Sequence, residues 1–110
     1  MNNVIKDKKE ELFEICEKHK VESLYAFGSV LTAKFGMSSD IDLLVLFCDM
    51  AVEDYFDNYM GFKEELEILL QRQVDLVEEQ AIKNPVFKKV LDREKQLVYD
   101  RKSTQIFVWH

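Results

Sequence analysis

A chain of 110 residues can bury one hydrophobic core but not two, so the sequence indicates a single small domain. Lysine and arginine number 15 against 21 aspartates and glutamates, and the net charge of −6 argues against a protein that wraps nucleic acid, which needs a basic surface, while leaving a local basic patch open. No apolar run approaches the roughly 18 residues of a membrane span, and the two cysteines lack the CxxC spacing of a zinc site. We therefore expect a cytoplasmic protein with buried thiols and no contact with a membrane.

The first elements in chain order are a helix and a strand. Residues 3–20 carry apolar side chains at helical spacing and contain no glycine or proline, which predicts an amphipathic helix. Residues 21–27 end in a short apolar run that Gly28 stops, as in a buried strand. A short helix or turn is predicted for residues 29–35, and a loop for 36–39.

The next elements are two strands on either side of a long helix. Apart from Asp42, residues 41–47 are all Ile, Leu, Val or Phe, which is typical of a buried strand. Aromatic and aliphatic residues recur at helical spacing over residues 52–71, and residues 74–77 predict a third short strand with one acid inside it. The helix at 52–71 would link these two strands.

Pro85 suits the first turn of a further helix, because its missing N–H would have no intrahelical partner there. The side chains expected to give this helix a buried face are Val86, Phe87, Val90 and Leu91. Residues 96–99 could then close the domain as another strand.

This order predicts an α/β domain with a small mixed β-sheet flanked by helices, spanning residues 1–100. Residues 101–110 are assigned to a C-terminal tail. The apolar stretch 106–109 within that tail could be ordered, pair with a partner or remain disordered, and the sequence does not decide between these.

Three aspartates stand where chemistry is expected. Asp40 and Asp42 are two positions apart at the head of a strand, so both would project from the same face, and their repulsion calls for a cation or a proton. Asp75 lies in an otherwise apolar strand, where a carboxylate is costly unless a charge or hydrogen bond faces it. If the two strands are neighbours, the three carboxylates could hold two Mg²⁺ ions together with a nucleotide's phosphates.

The Gly28-Ser29 pair supplies the other half of such a site. Glycine lets the backbone approach a triphosphate, while the serine hydroxyl and the amides of a following helix donate to its oxygens. Either motif alone is weak, since a Gly-Ser pair is usually only a turn and Asp40 could simply cap one.

Together, Gly28-Ser29, Asp40-Ile41-Asp42 and the lone Asp75 resemble the polymerase-β-like nucleotidyltransferase superfamily, and within it the minimal nucleotidyltransferase (MNT) domain. The resemblance implies that Gly28 and Ser29 bind the triphosphate and that Asp40 and Asp42 bind the metals. It also implies that Asp75, the third acid, helps bind the metal next to the attacking hydroxyl and favours its deprotonation. The implied reaction moves a nucleoside monophosphate from a nucleoside triphosphate to a hydroxyl and releases pyrophosphate.

The sequence departs from the family pattern after the Gly-Ser pair. Many relatives have Ala-Arg-Gly there, whereas residues 31–33 are Leu-Thr-Ala. Positive charge for the phosphates would then come from Lys34, Lys83 or Lys88, or from the metals alone.

The resemblance also implies a partner. MNT proteins of this family are often paired with a small helical HEPN protein as a toxin–antitoxin module, and some adenylylate a tyrosine of the toxin with ATP and Mg²⁺. We take this as the leading hypothesis. Two alternatives remain: an antitoxin that only occludes its partner, and a small-molecule nucleotidyltransferase of the aminoglycoside type. The sequence leaves open the acceptor, the base specificity, the number of nucleotides transferred and whether the chain forms a homo-oligomer.

Other residues are given structural interpretations. His19 is expected to be a solvated residue at a helix end, and Cys48 a filler at a strand end. One aromatic group at helical spacing is interpreted as core packing, with a partner surface as the alternative; its members are Tyr55, Phe56, Tyr59 and Phe62.

Overall fold

The computed structural model describes residues 3–28 and 40–103. Its centre is a four-stranded sheet in the order β3-β2-β1-β4. The strands are β1 (Val21–Phe27), β2 (Ile41–Phe47), β3 (Val74–Glu78) and β4 (Gln96–Asp100). The predicted short helix or turn, the loop that follows it and the apolar stretch 106–109 lie outside the described residues.

The sheet is mixed, as the sequence predicts. Strand β1 pairs antiparallel with both β2 and β4, whereas β2 and β3 are parallel. A parallel pair needs a long crossover, and helix α3 (Val52–Leu70) provides it. Both parallel strands therefore begin at the same edge of the sheet.

Two short helices precede the sheet where the sequence predicted a single one. These are α1 (Asn3–Lys6) and α2 (Lys9–Lys18), separated by a turn in which the Lys8 N–H donates to the Ile5 carbonyl at 3.1 Å. The six charged residues 6–11 are all exposed, so no burial holds them in one continuous helix. The prediction of an unbroken helix over 3–20 was wrong for this reason.

The main core lies between one face of the sheet and helices α2 and α3. The central strands contribute Leu24, Ala26, Leu43 and Val45, and the helices contribute Leu12, Cys16, Phe62, Leu66 and Leu70. Each large apolar side chain buried in this way contributes about 1.5–3 kcal/mol. Helix α3 ends at Leu70, and the residue after it, Gln71, has a left-handed backbone with φ of 53°.

The aromatic residues of α3 divide between two environments. Phe62 is fully buried, and Tyr55 and Tyr59 pack partly buried against the same core, which confirms core packing for these three. Phe56 is 68% exposed and contributes nothing to the core.

The last helix, α4 (Pro85–Glu94), approaches the opposite face of the sheet. Lys95, directly after it, places its Nζ atom 4.3 Å from the ring centroid of Tyr25. Tyr25 pairs with the buried Leu44, whose side chain is not part of the main core cluster. The C-terminal end of α4 is therefore the end that lies against the sheet.

The prediction of a broad buried face on α4 was wrong. Leu91 is buried, but Val86 is 70% exposed and Phe87 42% exposed. The start of the helix is held instead by its cap, since Asn84 Oδ1 accepts hydrogen bonds from the Val86 and Phe87 amides at 2.9 and 3.2 Å. The apolar side chains of the first turn are left facing solvent, because only the far end of this ten-residue helix is anchored.

Among the described helices, none combines the length and the apolar character of a membrane span.

Candidate functional site

The parallel register places two of the three predicted aspartates side by side. Asp42 of β2 and Asp75 of β3 are Cα partners, on strands that lie about 4.8 Å apart in a sheet. Partners in register project from the same face. The start of this pairing is fixed by the Ile41 N–H, which donates to the Gln73 carbonyl at 2.9 Å. The two strands on which the predicted acid cluster depends are thus neighbours.

The third aspartate, Asp40, directly precedes β2 and is exposed, as is Asp75. Asp42 is partly buried, and its pKa is raised above the ordinary value first by burial and then by the negative charges of Asp75 and Asp40. The three carboxylates therefore act on one another, and without a cation they disfavour the ionised form of Asp42.

Gly28 closes the site from the neighbouring strand. It follows Phe27, the Cα partner of Asp42, and its backbone has φ of +74°, which L side chains rarely adopt. A Cβ atom added to Gly28 would lie 3.2 Å from Asp42 Cγ and closer still to Oδ2. Only glycine fits where the chain turns against this carboxylate. Ser29, the other half of the predicted triphosphate-binding pair, lies outside the described residues.

The donor set suits a hard cation. Three carboxylates supply only oxygen ligands, which Mg²⁺ prefers. The pKa of Asp42 is raised first by burial and only then by the charges of Asp75 and Asp40, and a bound cation would relieve this second, repulsive part. Within residues 3–28 and 40–103, no three His, Cys, Asp or Glu side chains already converge as a ready-made metal site. Asp40 and Asp75 would have to turn toward Asp42 on binding, and their exposure leaves room for this.

Two side chains of α3 that were not assigned to the site reach the strand carrying Asp75. Glu67 Oε2 accepts a hydrogen bond from the Val74 amide at 2.9 Å, and the Tyr59 hydroxyl donates to the Leu76 carbonyl. A partly buried acid such as Glu67 needs a hydrogen-bond or charge partner, but the sequence does not show which residue provides it.

The predicted auxiliary lysines are not brought to the carboxylates by any contact that the structure describes. Lys83 and Lys88 are exposed just before and within α4, and Lys34 lies outside the described residues.

His19 is not the solvated residue that the sequence predicted, since only 9% of it is exposed. Its Nδ1 lies 3.3 Å from Asn58 Oδ1, and its Nε2 bonds to Glu65, so it ties the end of α2 to α3. Helix α3 covers it, and Gly61 makes room, because a Cβ there would lie 3.1 Å from His19 Cε1. His19 is a structural residue just before the start of β1, whereas Gly28 and Phe27, the Cα partner of Asp42, lie at the other end of that strand.

Both cysteines are free thiols. Cys16 is buried as expected, and burial raises the pKa of its thiol. Cys48 is only half-buried, because it lies beyond the end of β2. Its Sγ lies 3.7 Å from Glu22 Oε1.

A four-stranded mixed sheet whose parallel strands start with facing acids, beside a glycine turn, defines a nucleotidyltransferase-type domain. Residues 10–104 match the family model described as "Polymerase beta, Nucleotidyltransferase", and the chain belongs to this family.

Relatives of known sequence and of known structure agree with this assignment. Two Methanocaldococcus jannaschii proteins named "Putative protein adenylyltransferase", MJ0128 and MJ1379, are 41% and 37% identical over 83 residues, which are 76% of this chain and 80% of each relative. A solved structure described as a "putative minimal nucleotidyltransferase" is 28% identical, with a TM-score of 0.72, covering 87% of this chain and 95% of that one.

A more distant match has the same fold. It belongs to the solved complex of tri-AMPylated Shewanella oneidensis HEPN toxin with MNT antitoxin, at 19% identity and a TM-score of 0.61 over 90% of this chain and 75% of that one.

Proposed function

We propose that this chain is a Mg²⁺-dependent adenylyltransferase that moves AMP from ATP onto a hydroxyl of another protein. The observation that carries the proposal is the register of Asp42 with Asp75, together with the close approach of Gly28 to the Asp42 carboxylate. The relatives named for protein adenylyltransferase activity supply the donor and the kind of acceptor.

Asp40, Asp42 and Asp75 are the residues that would hold two Mg²⁺ ions. Bound Mg²⁺ supplies neutralisation of phosphate charge and a lowered pKa for a coordinated hydroxyl. Because each ligand must be ionised, and because the pKa of Asp42 is raised, metal affinity should weaken as the pH falls.

The remaining roles follow from the chemistry of transfer. Gly28, with Ser29 after it, would lie along the triphosphate, since no side chain obstructs the backbone at Gly28. The acceptor oxygen forms a bond to the α-phosphorus while the bond to pyrophosphate breaks, and the hydroxyl proton passes to solvent with the help of Asp75. Exposure of Asp75 leaves it reachable by an acceptor on a separate molecule.

The acceptor that we propose is a tyrosine on a HEPN-family helical protein, for which this chain acts as antitoxin in the cytoplasm. The motif resemblance supports this, and an MNT antitoxin solved with an AMPylated HEPN toxin shares the fold. Phe56, exposed on α3, offers such a partner an apolar contact. The competing function is occlusion of the partner without catalysis, which the Leu-Thr-Ala at residues 31–33 favours because the usual arginine is missing.

The test is transfer of label from α-labelled ATP, with Mg²⁺, to a purified HEPN-family partner. Wild type should label a partner tyrosine, and Asp42→Asn should not. Asp57→Asn, the same change at an exposed position of α3, should label as wild type does. A tight complex without label from any of the four nucleoside triphosphates would leave occlusion as the function, while label on an aminoglycoside without a protein acceptor would indicate a small-molecule enzyme.

A further inference from the structure

The strand that carries Asp75 lies at the edge of the sheet. Among the strands formed by residues 3–28 and 40–103, β3 has a neighbour only on the β2 side. Since the Ile41 N–H donates to the Gln73 carbonyl in a parallel register, Gln73 and Asp75 turn their backbone groups toward β2. Val74 and Leu76, which flank Asp75, must turn theirs outward.

Two side chains from α3 bond to these outward groups. Glu67 Oε2 accepts from the Val74 N–H at 2.9 Å, and the Tyr59 hydroxyl donates to the Leu76 carbonyl. Tyr59 and Glu67 are eight residues apart, which is about two helical turns, so both project from the same side of α3. Asp75 lies between the two bonds, and α3 thus holds the outer side of the strand while β2 holds the inner side.

Tyr59 is well placed to act as a fixed donor. Its ring packs against Phe47 and Tyr55, with centroids 6.4 and 6.3 Å away. Its pKa is raised first by burial and then by the charges of Asp75 and Glu78, so the hydroxyl keeps its proton.

We propose that Glu67 and Tyr59 are positioning residues that fix Asp75 opposite Asp42. This inference rests on the proposed function, in which the two carboxylates share the metals. An edge strand held on one side only can fray at its start, and the separation of the two carboxylates would then vary. Misplacement of a reacting group by about 1 Å can cost as much as about 10²-fold in rate.

The variants that test this are Glu67→Met, which removes the acceptor, Glu67→Gln, which keeps a carbonyl oxygen, and Tyr59→Phe, which removes the donor but keeps the ring. Tyr55→Phe is the matched control, because Tyr55 lies one turn earlier and its hydroxyl interacts with the side chain of Glu78. Each variant is compared with wild type at a temperature where all are folded.

The first measurement is amide hydrogen exchange at Asp75, made without nucleotide or metal. Loss of either α3 bond should speed exchange of this amide about tenfold, since local opening of the strand becomes easier. Glu67→Gln and Tyr55→Phe should leave it near the wild-type rate. A general loss of stability would instead speed exchange throughout the core.

The second measurement is the Mg²⁺ concentration that gives half-maximal labelling, measured with kcat and with KM for ATP. Glu67→Met and Tyr59→Phe should lower kcat about tenfold and raise the Mg²⁺ midpoint several-fold, with KM for ATP nearly unchanged. Glu67→Gln should keep kcat and the Mg²⁺ midpoint near their wild-type values.

The inference is overturned if Glu67→Met and Tyr59→Phe match Tyr55→Phe in Asp75 exchange, or if exchange rises while kcat and the Mg²⁺ midpoint stay at wild-type values. If wild type transfers no label but Glu67→Met and Tyr59→Phe still speed exchange at Asp75, the two residues do hold the strand. In that case only the proposed function is overturned.

Discussion

Replacing Gly28 by alanine should reveal how tightly the glycine turn is fitted to the Asp42 carboxylate. At φ of +74° an alanine costs about 1–2 kcal/mol relative to a right-handed conformation. Its Cβ would lie 3.2 Å from Asp42 Cγ, and moving that carboxylate off its rotamer costs about 1 kcal/mol more. The free energy of unfolding should therefore fall by about 2–3 kcal/mol.

A double-mutant cycle separates the two contributions. In an Asp42→Ala background the carboxylate is gone, so Gly28→Ala should cost only the backbone part, about 1–2 kcal/mol, and the coupling between the two sites should be about 1 kcal/mol. The assay is urea unfolding of the four proteins in EDTA, with unchanged m-values. Gly61→Ala is the contrast, and its unfolding free energy should change little. The gain in helix propensity of about 1 kcal/mol offsets the close contact of the new Cβ with His19.

Gly28→Ala should also lower the rate of AMP transfer by up to about 10²-fold, because Asp42 is displaced. Coupling below about 0.3 kcal/mol, with a wild-type transfer rate, would refute the close fit of Gly28 to Asp42.

Three further predictions concern the carboxylates and the residues that hold the helices. Because the folded-state pKa of Asp42 is raised, the metal-free protein should lose stability as the pH rises through the ordinary aspartate range toward that raised value. Asp75→Asn should flatten this loss, as measured by urea unfolding at several pH values. An unchanged slope would contradict the mutual repulsion of the two acids. Mg²⁺ and ATP at about 100 times their Kd should raise the unfolding free energy by about 2.7 kcal/mol in wild type and by much less in Asp42→Asn, as read by thermal shift; equal shifts in both would remove Asp42 from the site. His19→Ala should lower the free energy of unfolding by about 2 kcal/mol, because Asn58 and Glu65 on α3 lose their hydrogen-bond partner. At a temperature where the variant is folded, kcat should be unchanged, and a loss of kcat would place His19 in the reaction.

Most of the fold can be predicted because each strand is marked locally. The continuous apolar run of β2 and the glycine after β1 determine where those strands lie, and Pro85 marks the start of α4. Local patterns do not show which strands are neighbours in the sheet. The sequence does not show that β3 pairs parallel with β2, because pairing depends on the crossover of the chain and not on either strand alone.

The parts that could not be predicted depend on contacts between distant segments. His19 looks like a solvated helix end because its cover, α3, comes about 40 residues later in the chain. The exposed first turn of α4 has an apolar pattern that usually indicates burial, and only the position of the sheet shows otherwise. Similarly, the sequence points to Asp75 as an anomaly, whereas the bonds of Glu67 and Tyr59 on either side of it arise only once α3 crosses the edge strand.

Asp40, Asp42 and Asp75 are proposed to bind together the metals that serve a nucleotide. The most direct measurement is a crystal structure with Mn²⁺ in place of Mg²⁺ and a non-hydrolysable ATP analogue, using the anomalous signal of manganese. We expect two anomalous peaks about 3.5–4 Å apart, bounded by the three aspartates, with the triphosphate along Gly28. A bound nucleotide with no manganese at Asp42, or with its phosphates away from Gly28, would contradict it.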